Sequence, residues 1–316
     1  MGSTNYINFS VRQNKAIERK IAFECLSKLV TDKGDSYIYV GFGSVWFVDF
    51  EAAHRDLRIN SMISIESDEV VYRRAAFNAP FRTVSVEQGN SADVLPDLLK
   101  RPDLSSRPWV VWLDYDTTMD ETKLDELENL VVNLPPNSAI LTTFSASAGR
   151  YAQQTQIADR LSSLFGDTFD ATEFPRLKDY KNEKKLMLAL SKAVRDRMIS
   201  RFHRSGRTGS CLPIIELQYQ DGTPMTTVGL ALTDPAESKR VEGLIGDPSW
   251  RGISNDPIAT PPLTQRETNA LRTLLPSDPF PTRSAVKTLG FDLAENELAS
   301  FSRHYLDYPT FVQTAY

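Results

Sequence analysis

Only 2 cysteines and 3 histidines occur among the 316 residues, too few and too scattered for a disulfide framework or a structural zinc site. Cys25 and Cys211 are read as thiols in a reducing, cytoplasmic setting. No apolar run approaches the roughly 20 residues that cross a bilayer. The opening MGSTNYINFSVRQNK lacks the apolar stretch of a signal peptide, so no membrane contact is expected. Met1-Gly2 begins like an acylation signal, but Tyr6 stands where Ser or Thr is needed. Basic residues do not dominate: 36 Lys and Arg against 41 Asp and Glu give a net charge of −5, and no global field draws the chain to nucleic acid. With 15 Gly and 18 Pro the chain is not of low complexity.

What is present is ordinary globular material, 41% hydrophobic and 24% charged, enough for a packed core. The length exceeds what one core supports, so a domain of about 230 residues with an appendage, or two modest domains, is expected. From Asn14 to Val30 the residues Ile17, Ile21, Cys25, Leu26 and Leu29 recur at helical steps. Tyr37–Val40, Met62–Ile65, Phe81–Val86, Trp109–Leu113 and Ala139–Thr143 then read as strands. Helices are expected between them: one after Gly43 with Trp46, Phe50, Ala53 and Leu57 on a stripe, then Val70–Ala76, Ala92–Leu99 and Leu124–Leu134. Strands alternating with helices imply a parallel sheet covered on both faces. Helices over Gln153–Leu164 and Lys184–Ile199 follow, and Asp221-Gly222 between Leu212–Gln220 and Thr226–Leu232 signals a β-hairpin closing the sheet. The expected division is 1–233 as an α/β domain with an N-terminal helix, 234–262 as a linker or wrapping segment, and 263–316 as a helical appendage ending in aromatics. Those aromatics, Phe291, Phe301, Tyr305, Tyr308, Phe311 and Tyr316, suit core packing, a protein partner or a second copy.

Four places carry chemistry. Gly41-Phe42-Gly43 joins a strand to a helix, where glycines allow close backbone approach and the helix start offers free N–H groups; a tight corner alone would need the same glycines. Glu66, at the end of the second strand, can accept both hydroxyls of a ribose, or cap the next helix with Asp68 and Glu69. Asn90-Ser91 after the third strand can meet the edge of an adenine, or cap the helix at Ala92. Asp114-Tyr115-Asp116 delivers two carboxylates and a phenol to the carboxyl edge of the sheet, where open α/β sheets bind ligands; these are the candidate catalytic residues. The structural alternative is a loop-capping Asp114 and a solvated Asp116. Arg12, Lys15, Arg19 and Lys20 form a basic helix face that is either solvated or suited to a phosphate-bearing substrate. A dinucleotide fingerprint is incomplete, because Trp46 occupies the third glycine position.

In this order the glycine turn, Glu66, the Asn90-Ser91 loop, Asp114-Tyr-Asp116 and the Asp221-Gly222 hairpin resemble a class I S-adenosylmethionine-dependent methyltransferase over residues 37–233. The resemblance implies a Rossmann-like fold with S-adenosylmethionine as cofactor, Gly41 and Gly43 along its methionine part, Glu66 on the ribose diol, and Asn90 and Ser91 at the adenine. It departs from the family where Tyr39 replaces the acid opening the glycine motif and Val45 its third glycine. Asp114-x-Asp116 is similar to the metal-assisted O-methyltransferase branch, but Thr142-Thr-Phe-Ser-Ala-Ser147 stands where that branch has Asp-Asn, and no metal is assigned. Asn8–Lys20, Gly41–Phe50 and Tyr305-x-x-Tyr308-Pro309-x-Phe311 resemble a bacterial group of O-methyltransferase-like proteins without an assigned substrate, a group associated with phage-defence gene sets. The implied activity is methyl transfer to an unidentified acceptor; the alternative is a methyltransferase-like scaffold that binds a partner through a degenerate cofactor site.

Overall fold

The computed structural model describes residues 12–31, 34–151 and 156–309. The strands are β1 (Gly34–Gly41), β2 (Ile59–Glu66), β3 (Val84–Gln88), β4 (Trp109–Thr118), β5 (Ser138–Ser145), β6 (Ser210–Gln220) and β7 (Pro224–Thr233). The helices are α1 (Gln13–Leu29), α2 (Val48–Leu57), α3 (Glu69–Asn78), α4 (Ser91–Lys100), α5 (Pro102–Ser105), α6 (Glu121–Asn133), α7 (Ala148–Tyr151), α8 (Ile157–Phe165), α9 (Glu183–Arg204), α10 (Pro235–Ile245), α11 (Gln265–Arg272), α12 (Arg283–Thr288) and α13 (Glu295–His304). Among the described residues the seven strands form one sheet in the order β3-β2-β1-β4-β5-β7-β6. The first five are parallel, and β7 runs antiparallel to both β5 and β6. The expected hairpin is present; its second strand inserts against β5, leaving β6 at the edge. This is a doubly wound, Rossmann-like sheet.

Period-two alternation builds the core on both faces. Along β4, Trp109, Val111 and Leu113 face the layer of α4, α6, α8 and α9. Val110 and Trp112 face α1, α2, α10 and the C-terminal helices. Asp114 and Asp116 thus continue the α1 side of the strand, and Tyr115 the α6 side. The crossovers change direction between β1 and β4, which places the switch point of the sheet beside Gly41 and Asp114.

Two expected elements differ. α2 begins at Val48 because Phe47 before it is left-handed, with φ 49°, so Trp46 lies in the turn and not on the helical stripe. β3 begins at Val84: Phe81 packs on His54, ring centroids 4.5 Å apart, in the bend before it. Between 234 and 262 the chain forms α10, and its later part bridges the open edge of β6 at Glu216–Ile253 and Tyr219–Ile258. Beyond it Leu271, Val286, Leu298, Phe301 and Tyr308 are buried in the α1-side core. Phe301 and Tyr308 meet edge to face at 5.2 Å, while Tyr305 and Phe291 pack partly against that core. Phe311 and Tyr316, also among the aromatics singled out, lie outside the described residues. No helix among the described residues is long and apolar enough to cross a membrane.

Candidate active site

The carboxyl ends of β1, β2, β3 and β4 enclose a cleft with two lobes. One, of about 440 Å³, is lined by Gly43, Trp46, Asp49, Asp114 and Asp116. The other, of about 670 Å³, is lined by Asn90, Ser91, Asp93 and Glu126. Glu66, Phe42 and Tyr115 belong to both. The Phe42 and Tyr115 rings meet edge to face at 5.4 Å and form the partition.

The turn after β1 shows what each glycine does. A Cβ on Gly43 would lie 2.6 Å from the Phe47 ring and 2.7 Å from Ser64 Oγ, and the Gly43 N–H donates to that hydroxyl at 3.0 Å. Gly41 lies beneath the cleft and does not line it; a Cβ there would come within 3.0 Å of the Trp112 carbonyl. The close packing of β1 on β4 is its evident requirement. Ser44 and Phe47, at φ 48° and 49°, hold a conformation that L-residues rarely adopt, and such strain concentrates at binding loops. It leaves Trp46 43% exposed at the mouth of the cleft.

Glu66 does not cap α3. Asp68 does, accepting from Val70 N and Val71 N at 2.9 and 3.0 Å. One Glu66 oxygen is buried without a partner. Burial raises the carboxyl to about 7, opposed by the nearby Ser44 backbone N–H and assisted by Asp68. Such a carboxyl, at a cleft wall, has acceptor capacity that no protein donor uses. In the second lobe Asn90 occupies the N-cap position of α4, yet its side chain makes no capping bond. Ser91 Oγ donates to Glu126 Oε2 at 2.8 Å, and Tyr115 OH to Glu126 Oε1 at 2.6 Å. Glu126, which sequence reasoning missed, is thus the buried acceptor that fixes both; the available signal was its place one turn before Leu130 on the inward face of α6. Tyr115 is separated from Asp114 by the pleat, its hydroxyl tied to α6.

Helix α1 closes the floor of the first lobe. Its first turn is capped from outside the helix: Asn14 N and Lys15 N donate to the two oxygens of Asp221 at 3.1 and 2.8 Å. Lys15 Nζ lies 2.9 Å from Asp114 Oδ2 and 3.3 Å from Glu18 Oε2, over the faces of Trp112 and Tyr219. Burial alone would lower its pKa, but the Asp114 and Glu18 carboxylates more than reverse this and hold the ammonium charged. Arg19 is buried and bonded to Asp49 on α2, an acid that the sequence reading did not single out. Lys20 instead pairs with Asp307 at 3.1 Å and lies outside the cleft. Of the four basic residues, Arg12, Lys15 and Arg19 line the cleft. Tyr39 stands where the resemblance calls for an acid; its hydroxyl is buried without a partner and its ring meets Phe50 edge to face at 5.0 Å.

A family model described as "Putative O-methyltransferase" matches residues 7–316. The chain belongs to that family. No curated protein matches the sequence. Among solved structures, an O-methyltransferase described as putative from Klebsiella pneumoniae is 11% identical over 68% of this chain and 79% of its own, with a TM-score of 0.39. The fibrillarin/Nop5p complex is 8% identical over 73% and 90%, with a TM-score of 0.40. Human N-acetylserotonin methyltransferase in complex with SAM is 10% identical, with a TM-score of 0.36. Its alignment covers 68% of this chain, which spans about half, 52%, of the human enzyme. Within the O-methyltransferase family frame, the cleft at the switch point is the candidate active site.

Proposed function

We propose that this chain binds S-adenosylmethionine in the cleft and transfers its methyl group to an oxygen acceptor. The observation that carries the reading is Glu66, a half-buried carboxyl with one buried, unused oxygen on the wall common to both lobes. Such a group fits a ribose diol, which brings two donors. S-adenosylmethionine, when bound, supplies a methyl group already activated by its sulfonium sulfur. Glu66 accepts the ribose hydroxyls, and Asn90, whose side chain makes no capping bond at the start of α4, offers its amide to the adenine edge. The Arg19–Asp49 pair on the floor of the first lobe offers a cation to a carboxylate and an anion to an ammonium, the two charges of a methionyl group. Asp114 and Asp116 face the remaining space and orient the acceptor. Most of the rate then comes from positioning and exclusion of water. An anionic substituent such as a phosphate on the acceptor would meet Arg12 and Arg150, which also line the first lobe.

Calorimetric titration with S-adenosylmethionine and S-adenosylhomocysteine, with NAD and ATP as controls, tests the reading. Adenosyl binding that Glu66→Ala weakens by roughly 1.5 to 3 kcal/mol supports it. An unchanged affinity removes Glu66 from the site. Absence of any adenosyl binding favours the second reading, a methyltransferase-like scaffold, whose support is the phenol of Tyr39 filling the place of the acid under the glycine turn.

A further inference from the structure

Helix α9 is 22 residues long and carries seven Lys and Arg against two acids, in a chain whose net charge is −5. Its earlier cations are answered inside the fold. Lys184 reaches Asp256 at 2.8 Å, and Arg195 lies between Asp196 at 2.8 Å and Glu216 at 2.5 Å. The last two turns differ. Arg197, Arg201 and Arg204 fall on one face of the helix, and the carboxylate that meets this face is Glu128 of α6. Glu128 accepts from Arg197 Nε at 2.7 Å and lies 3.4 Å from Arg201 Nε, too poorly aligned for a hydrogen bond, so that buried nitrogen has no partner. Arg204 has no acid within ion-pair distance among the described residues; its Nε donates to the Ser200 carbonyl at 3.4 Å. Like charges one turn apart destabilise a helix, so the fold alone gives no reason to keep all three.

The three arginines line a concavity of about 520 Å³ between α6, α8 and α9, and none of its lining residues belongs to either lobe of the cleft. Ser163 and Ser200 stand on the same wall. α8 ends here, and free carbonyls at a helix C-terminus would repel an anion. Two of them are already answered: Arg197 Nη1 donates to the Leu164 carbonyl at 2.7 Å and Thr168 Oγ1 to that of Phe165 at 2.8 Å. The other acid of the lining, Asp167, is solvent-exposed and forms no ion pair with these arginines. Guanidinium groups beside hydroxyls match a group with several acceptor oxygens and up to two negative charges, which is the chemistry of a phosphoryl group. A concavity of this size holds the end of one small molecule, whereas a nucleic-acid backbone needs a stripe of cations.

We propose that this pocket between α6, α8 and α9 is a second binding site, which takes a phosphomonoester or pyrophosphate group through Arg201 and Arg204, with the Ser163 and Ser200 hydroxyls as further donors. It shares no residue with the cleft, so it stands whether or not the chain transfers a methyl group.

The full chain is titrated calorimetrically with pyrophosphate and inorganic phosphate, with acetate and chloride at matched ionic strength as controls. Phenylglyoxal labelling followed by peptide mass mapping then reads which arginines the bound anion protects. The expected result is saturable pyrophosphate binding that protects Arg201 and Arg204. Arg204→Gln should weaken it about tenfold or more, while Arg150→Gln, which alters the cleft, should change it less than about twofold. Because Arg204 holds no carboxylate, Arg204→Gln should leave the melting temperature of the ligand-free protein unchanged or slightly higher, which separates loss of a ligand contact from loss of the fold. Pyrophosphate binding no stronger than that of acetate, or an affinity that survives Arg201→Gln and Arg204→Gln together, would overturn the proposal. So would protection of Arg12 and Arg150 in place of Arg201 and Arg204. An oligonucleotide without terminal phosphates that protects Arg201 and Arg204 and binds more tightly than pyrophosphate would assign this face to a nucleic-acid backbone, and that too overturns it.

Discussion

Glu66 makes adenosyl binding a function of pH, in a direction the structure fixes. Burial raises its carboxyl from 4.5 to about 7, so near neutrality much of it is protonated and has lost acceptor capacity. A ribose diol donates to the ionised form and selects it. At pH 5 only about one molecule in a hundred carries the carboxylate in the free protein, and binding that requires it weakens by up to about 100-fold, or about 2.7 kcal/mol. The neutral acid still accepts one hydrogen bond through its carbonyl oxygen, so a loss between tenfold and 100-fold is expected between pH 8 and pH 5. Titration of S-adenosylhomocysteine across that range measures it, with Glu66→Gln as the control that should bind weakly and without this dependence. A flat profile in the wild type, or a slope that survives in Glu66→Gln, refutes the reasoning.

The same displacement appears in stability with the opposite sense for the empty protein. The folded-state pKa lies above the unfolded one, so the ionised carboxyl opposes folding. That opposition is fully present above about pH 7, fades as the pH falls, and is gone below about 4.5. It amounts to about 3 kcal/mol. Glu66→Gln should therefore raise the melting temperature at pH 8 and leave it nearly unchanged at pH 4.5. A substitution that stabilises the fold and weakens the ligand marks a group retained for binding.

Gly43→Ala should lower stability by about 1 to 3 kcal/mol, because its Cβ would press on the Phe47 ring at 2.6 Å and on Ser64 Oγ; denaturant unfolding measures this, and a neutral result would show that the turn yields. Lys15→Met leaves the Glu18 and Asp114 carboxylates without their shared ammonium. It should cost about 3 to 5 kcal/mol in the same assay, and a loss below about 1 kcal/mol would mean the pair is solvated. Asp114→Asn should keep S-adenosylhomocysteine affinity and abolish methyl transfer. Full activity in that variant removes Asp114 from the mechanism.

Much of the sheet was legible because its strands are short apolar runs closed by turn residues, and Trp109–Leu113 or Ala139–Thr143 can hardly be read otherwise. The position of Glu66 was legible for the same reason, since strand ends in an alternating α/β pattern fall on one edge. The edge strand β3 was misplaced by a few residues because an edge pairs on one side only and its burial pattern is weak. Sequence left the choice between ligand and cap open at Glu66 and Asn90. It turns on side-chain direction: Asp68 took the cap at α3, and Asn90 stands at a cap position without making the bond.

The basic face of α1 shows where periodicity runs out. Lys15, Arg19 and Lys20 are charges on an amphipathic helix, and such charges are usually solvated. Here Lys15 and Arg19 are buried and Lys20 is not. The difference lies in what other elements bring to the same point: Asp114 from β4, Asp49 from α2 and the Asp221 carboxylate from the β6–β7 turn. Each of those acids is separately readable as a loop or first-turn residue. Only the three-dimensional arrangement shows that they converge on one helix. Convergence also ties the C-terminal region to the site. Asn14, beside Lys15, accepts from Thr260 N at 2.9 Å, and Tyr308 OH donates to Gln13 Oε1 at 2.7 Å. The segment after the hairpin thus braces the turn of α1 from which Lys15 reaches Asp114, and the candidate site depends on residues nearly 300 positions apart in sequence.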